Sequence, residues 1–187
     1  LGLSYEKNGN KELSNKWYEE ASKYLTTYYG QLAYLKIHPN ENFSLDEVPE
    51  VNEKYKKTFH LKDLVKIVYL LDELNKDKYT KDILKHLANE NIESGSEILA
   101  AKLATNISRY DFAIQIAKIA SYQKRFINDY NYPIISTPKY VNKRKIPEPA
   151  FILSIIRQES EFDMEANSHA GAKGLMQLMT YTARLVA

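Results

Sequence analysis

The stretch LKDLVKIVYLL (Leu61–Leu71) decides the fold class. Leu61, Leu64, Val65, Val68 and Leu71 fall at i, i+3, i+4, i+7 and i+10. With about 3.6 residues per turn, that spacing lines them along one side of a helix. The same period recurs on both sides of this stretch: Trp17, Ala21 and Tyr24 upstream; Leu99, Leu103 and Ile107, then Phe112, Ile116 and Ile119 downstream. Each set predicts an amphipathic helix with one buried face. Breaks fall at Gly9-Asn10, His38 to Pro49, Asn75 to Lys78 and Asn91 to Gly95. Ser94 and Glu97 have the spacing of a capping box, and Asp111 is placed to cap the next helix. Residues 1 to about 130 therefore read as roughly seven helices joined by short turns. Stacked helix pairs of this kind build α-solenoids. No strict repeat is present, so a compact bundle is the competing architecture.

Composition supports the helical reading. Gly and Pro number six each among 187 residues, about half the usual share, and an all-β chain needs more turns than that. Hydrophobic residues make up 44%, enough for a packed core. The 26 Lys+Arg nearly balance the 24 Asp+Glu, which argues against a dedicated nucleic-acid binder. No apolar run reaches the roughly 18 residues that span a bilayer. Without Cys there is no disulfide, Cys-ligated zinc or thiol nucleophile. His38, His60, His86 and His169 lack metal-ligand spacing, so neither a metal nor a cofactor is expected. The 15 Tyr are read as filling helix contacts with hydroxyls toward solvent, sugar stacking being the alternative. The chain starts at Leu1 and stops at Ala187 within an apolar run, so both ends read as cut.

Four of the six Pro lie between Pro133 and Pro149, and this stretch reads as a linker or an extended surface segment. Lys139, Lys143, Arg144 and Lys145 form a basic run within it, read as solvated or as meeting an anionic polymer. The expected organisation is a helical region over 1–132, a Pro-rich lead-in over 133–148 and a third segment over 149–187.

The third segment carries the chemistry. In PAFILSIIRQESEF (Pro149–Phe162), Pro149 suits the first turn of a helix. Ile152, Ile155 and Ile156 define its apolar face, and Glu159 lies about 20° from Ile152 on the helical wheel. Ser154, Arg157, Gln158 and Glu161 fall on the other side, with Glu161 and Asp163 expected to be solvated. A carboxylate on an apolar stripe is costly to ionise, which suits a general acid near neutral pH. A structural ion pair at Glu159 is the alternative. NSHAGAKGLMQLM (Asn167–Met179) follows, with Gly171 and Gly174 free to take positive φ or to let backbone approach a ligand. Gln177 sits among Met176, Leu178 and Met179 and needs hydrogen-bond partners, either a sugar or its own helix terminus. Ser168-His169 is not read as a dyad, because no G-x-S-x-G surrounds it.

The combination ILSIIRQESEF, NSHAGAKGLMQLM and Thr182-Ala183 closely resembles the opening of the lytic transglycosylase catalytic domain, and more narrowly that of the soluble lytic murein transglycosylases. LTTYYGQLAYL (Leu25–Leu35) resembles the helical region that precedes that domain. The resemblance implies an all-α fold: a superhelix of helix pairs followed by the N-terminal part of a lysozyme-like α domain. It implies cleavage of the β-1,4 bond between N-acetylmuramic acid and N-acetylglucosamine in peptidoglycan strands, without water and with formation of a 1,6-anhydro ring. Glu159 matches the single acid and base of that reaction, and Ser160, Ser168, Gln177 and Met179 match substrate positions. It also implies a periplasmic location. Thr180 stands where the family usually has Pro, and is expected to cap the next helix. The family's domain continues beyond Ala187, so this chain alone is expected to lack a complete pocket and to be inactive. A goose-type-lysozyme-like muramidase and a non-catalytic α-solenoid adaptor are the competing functions.

Overall fold

A computed structural model describes residues 1–141 and 143–186. The chain forms two compact units, Leu1–Asp46 and Glu47–Ala187.

The first unit is three helices: α1 (Gly2–Lys7), α2 (Lys11–Ser22) and α3 (Tyr28–Ile37). Asn10 caps α2 by accepting from the Leu13 N–H, and Thr27 caps α3 by accepting from the Gly30 N–H. Small residues set the packing: Gly2, Ser14, Gly30 and Ala33 are buried, and the Ser14 hydroxyl donates to the Gly2 carbonyl at 3.0 Å. Trp17 and Tyr24 of the expected stripe are exposed instead. The unit holds its helices close through small side chains, and the large rings stay at its surface.

The second unit begins with α4 (Glu53–His60), α5 (Asp63–Glu73), α6 (Thr80–Asn89), α7 (Ser96–Asn106), α8 (Tyr110–Tyr122) and α9 (Asn128–Asn131). Its core gathers Phe59, Val65, Val68, Leu84, Leu87 and Leu103 around the alanines of α7 and α8. Leu99, Leu103 and Ile107 are all buried, as their spacing predicts. Three expectations need correction. Leu61 ends α4 rather than starting α5, and is 73% exposed. Ile119 is exposed, because α8 buries Ala113, Ala117 and Ala120 beside Phe112 and Ile116. Neither proposed cap forms. Gly95, at φ +84, stands between Ser94 and the start of α7, and Glu97 reaches Arg125 through two bonds of 2.9 and 3.1 Å. Asp111 lies inside α8, where it accepts from the Arg109 guanidinium.

Within 133–148, β1 (Tyr140–Val141) pairs antiparallel with β2 (Arg144–Lys145). Lys139, Lys143, Arg144 and Lys145 are all exposed. Then come α10 (Pro149–Glu159), with Pro149 in its first turn as expected, a two-stranded hairpin of β3 (Ala172–Lys173) and β4 (Leu178–Met179), and α11 (Thr180–Val186). Thr180 is the first residue of α11, a position Pro also suits, rather than its cap. The class is all-α, with strands of only two residues among the described residues. No helix among those residues is long and apolar enough to cross a membrane. The Tyr divide: Tyr18, Tyr34, Tyr110 and Tyr130 are half-buried as expected, the Tyr55 hydroxyl is buried rather than turned to solvent, and Tyr29, Tyr122 and Tyr181 are at least 77% exposed.

Candidate active site

The site is built on α10 and the hairpin after it. Ile156 and Phe162 are buried with Ile114 of α8, and Ile152, Leu153 and Leu175 pack against them. The face that α10 buries therefore centres on Ile152, Leu153 and Ile156. Glu159 lies about 65° from that centre at 100° per residue, and its side chain is exposed. The expectation of a buried Glu159 is thus corrected. The spacing puts Ile155 in the stripe and not Leu153, but Ile114 and Leu175, supplied by distant segments, rotate the covered face away from the carboxylate. No described residue bonds to that carboxylate. Glu159 is the last residue of the helix, open to whatever approaches the helix end.

Ser160 follows as the helix C-cap, and its hydroxyl donates back to the Ile156 carbonyl at 3.2 Å. Ser168 is exposed, and its Oγ accepts from the Ala172 N–H at 2.9 Å. That bond steadies the start of β3, and it occupies one lone pair of the hydroxyl. Ala172 in turn pairs with Met179, so Ser168 and Met179 belong to one small scaffold. Gln177, at φ +46, lies in the turn between the strands. Its Nε2 donates to the Ala166 carbonyl at 3.0 Å and the Gly174 carbonyl at 2.8 Å. The amide thus cross-links the loop, which is neither a helix-terminus cap nor an amide left entirely to a ligand. Gly171 takes φ +87, and nothing lies within 4 Å of where its Cβ would be, so conformation rather than close approach calls for glycine there. His169 is exposed.

The fold therefore brings Ser168, Gln177 and Met179 together on one hairpin, and sets Glu159 and Ser160 at the end of the helix that precedes it. Leu175, in the hairpin turn, packs into the cluster beneath α10 and joins the two parts.

Glu161, expected to be solvated, is held in an ion pair, and Arg157, placed opposite the apolar face, is half-buried: its Nε donates to the Asn131 carbonyl and its Nη2 to Asn131 Oδ1, each at 2.8 Å. Glu161 accepts from Lys118 Nζ of α8 at 2.5 Å and lies 3.6 Å from Arg157 Nη1. Lys118, 43 positions before Glu161, gave no local signal; only a placed α8 reveals it.

Residues 137–187 match the family described as the Transglycosylase SLT domain. That span holds α10, the hairpin and all five candidate residues. No curated protein matches the chain by sequence. In fold, the chain is similar to the 70 kDa soluble lytic transglycosylase Slt70 from Escherichia coli, with a TM-score of 0.73 at 20% identity over 98% of this chain. It is equally similar to a 70-kDa soluble lytic transglycosylase in complex with bulgecin A, with a TM-score of 0.74 at 20% identity. In both cases the chain spans 29% of the length of the structure it matches. The resemblance to soluble lytic transglycosylases carried by the sequence is thus joined by a family match over residues 137–187 and by a shared fold over most of the chain.

Proposed function

We propose that this chain is part of a peptidoglycan lytic transglycosylase, acting in the periplasm on glycan strands. The observation that carries the reading is the family match over 137–187, which spans the exposed carboxylate Glu159 at the end of α10, to which no described residue bonds, and the hairpin after it. The functional division is an array over 1–132, a lead-in over 133–148 and the catalytic segment over 149–187.

In this reading Glu159, protonated, gives its proton to the oxygen between N-acetylmuramic acid and N-acetylglucosamine. The bond from muramoyl C1 to that oxygen breaks, and positive charge spreads over the sugar ring. The carboxylate then takes the proton of the muramoyl C6 hydroxyl as that oxygen closes on C1. One carboxyl group serves both steps because an internal hydroxyl replaces water, so the paired carboxylates of ordinary glycosidases are not required. A group that gives and regains one proton works best without an ion pair holding it ionised, and Glu159 meets that condition where Glu161 does not. Ser160, Ser168, Gln177 and Met179 line the strand's path, with the Ser hydroxyls and the Gln177 Oε1 facing sugar hydroxyl and acetamido groups. A strand laid over the helix end and the hairpin displaces water from Glu159, strengthening each polar contact made there.

Product analysis tests the reading. Purified sacculi are incubated with the full-length protein to which this chain belongs, since residues 1–187 alone are proposed to be inactive, and the released muropeptides are weighed by mass spectrometry. Transglycosylation gives ends lighter by one water than the reducing ends a muramidase leaves. Reducing ends alone would replace this proposal with hydrolysis, and no release would favour the adaptor reading.

A further inference from the structure

Immediately after Glu159 the chain makes a turn that its own residues disfavour. Ser160 to Asp163 close a four-residue turn, with the Asp163 N–H donating to the Ser160 carbonyl at 3.1 Å. Both central residues have positive φ, Glu161 at 53° and Phe162 at 67°. Two successive left-handed residues are the pattern of a type I′ turn, where Gly, Asn and Asp dominate. A Glu followed by a Phe has no local reason to adopt it, so contacts elsewhere must hold it.

Those contacts are specific. The Phe162 side chain is 5% exposed, packed on Ile114 and Ile156, with its ring 6.2 Å from that of Tyr110. Glu161 is clamped by Lys118 at 2.5 Å and flanked by Arg157 at 3.6 Å. Arg157 is itself bound to Asn131, so its position is fixed. Lys118 comes from α8, whose other side lies in the main core. The turn that directs the chain from the helix end into the hairpin is therefore bolted to the most deeply buried part of the unit.

Resting on the proposed function above, we propose that Lys118 and Glu161 are positioning residues for Glu159: their ion pair holds the left-handed turn that fixes the catalytic carboxyl relative to the substrate-binding hairpin. The pair has a second effect. Glu161 is only two residues beyond Glu159, and engaging it with Lys118 and Arg157 keeps a competing carboxylate out of the site. Releasing the clamp lets the turn relax toward ordinary φ. The hairpin then shifts against Glu159, and misplacement by about 1 Å can cost roughly 100-fold in rate.

The test is steady-state kinetics of the intact protein on soluble uncrosslinked glycan strands, with thermal unfolding recorded for each variant. Lys118→Ala and Glu161→Gln are expected to lower kcat by about 10- to 100-fold. KM should stay within about twofold, because the strand-binding groups remain. Lys118→Arg and the exchange Lys118→Glu with Glu161→Lys should restore much of kcat. Rescue by the exchange separates positioning from mere support of the fold, since it restores the pair and not the original residues. A kcat within twofold of the parent in both single variants overturns the inference. So does a fall in kcat accounted for by the unfolded fraction, or a failure of the exchange to recover activity. Glu159→Gln runs alongside. If it is inactive while the clamp variants are fully active, only this inference fails; if it stays active, the proposed function fails and takes the inference with it.

Discussion

The packed pair α7–α8 and the segment from α10 to β4 are held together by different forces. In the pair, Ala100, Ala101, Leu103, Ala104, Ala113 and Ala117 are each at most 1% exposed. Small side chains let the two backbones approach, and water is excluded along both helices. In the segment, only Ile156 and Phe162 are buried. Its shape depends on polar contacts: Ser168 to Ala172, Gln177 to Ala166 and Gly174, Arg157 to Asn131, Glu161 to Lys118. Apolar burial sets stability, while directional bonds set the geometry of an exposed surface. Functional segments are commonly drawn from the less stable end of a fold, and the proposed function places this one in that pattern.

The contrast can be broken most severely in the core. Leu103→Ala removes a side chain 1% exposed and should destabilise the chain by about 3 kcal/mol in urea unfolding. Leu178→Ala on the exposed hairpin should cost under about 0.5 kcal/mol. Equal losses at the two sites would erase the distinction. Gly95→Ala comes next: at φ +84, with a Cβ placed 2.8 Å from Val51 Cγ2, it should cost about 1–2 kcal/mol, read as a lowered midpoint. At Glu161, Gly suits φ 53 and Ala does not, so Glu161→Gly should be about 1 kcal/mol more stable than Glu161→Ala, although both lose the ion pair. Equal stabilities would mean that the turn carries no strain.

The smallest effect lies in the first unit. Lys36, and next Tyr18, hold the Glu6 carboxyl below its ordinary value by hydrogen bonding to it. A carboxyl lowered on folding stabilises the folded state above its unfolded value, and that contribution is lost as pH falls through the folded value. An NMR titration should place the Glu6 midpoint below that of a free glutamate. Lys36→Ala should move it upward, and an unmoved midpoint would remove Lys36 as the cause.

Much of the array was legible because its helices carry their burial in their own residues. Leu99, Leu103 and Ile107 are spaced as a stripe and are buried as one. The sequence also marked the string around Glu159 and the glycine-containing hairpin, which lie within the family match. It misled on which side of α10 is covered, because Ile114 and Leu175 decide that from distant positions. It misread Glu161 for the same reason, since its partner Lys118 lies on another helix. Trp17 misled in the opposite way: large rings usually mark a core, and here small residues pack in their place. Periodicity reports what a helix can bury, and only the neighbours determine what it does bury.

Glu159→Gln tests the central claim most directly. The substitution keeps the shape of an exposed side chain without a bonded partner, so the thermal midpoint should match that of the parent. Sacculi treated with the full-length protein carrying this substitution should release no anhydro-muropeptides, while the full-length parent releases them. Release at the parental rate by the folded variant would contradict the assignment of Glu159 as the acid and base.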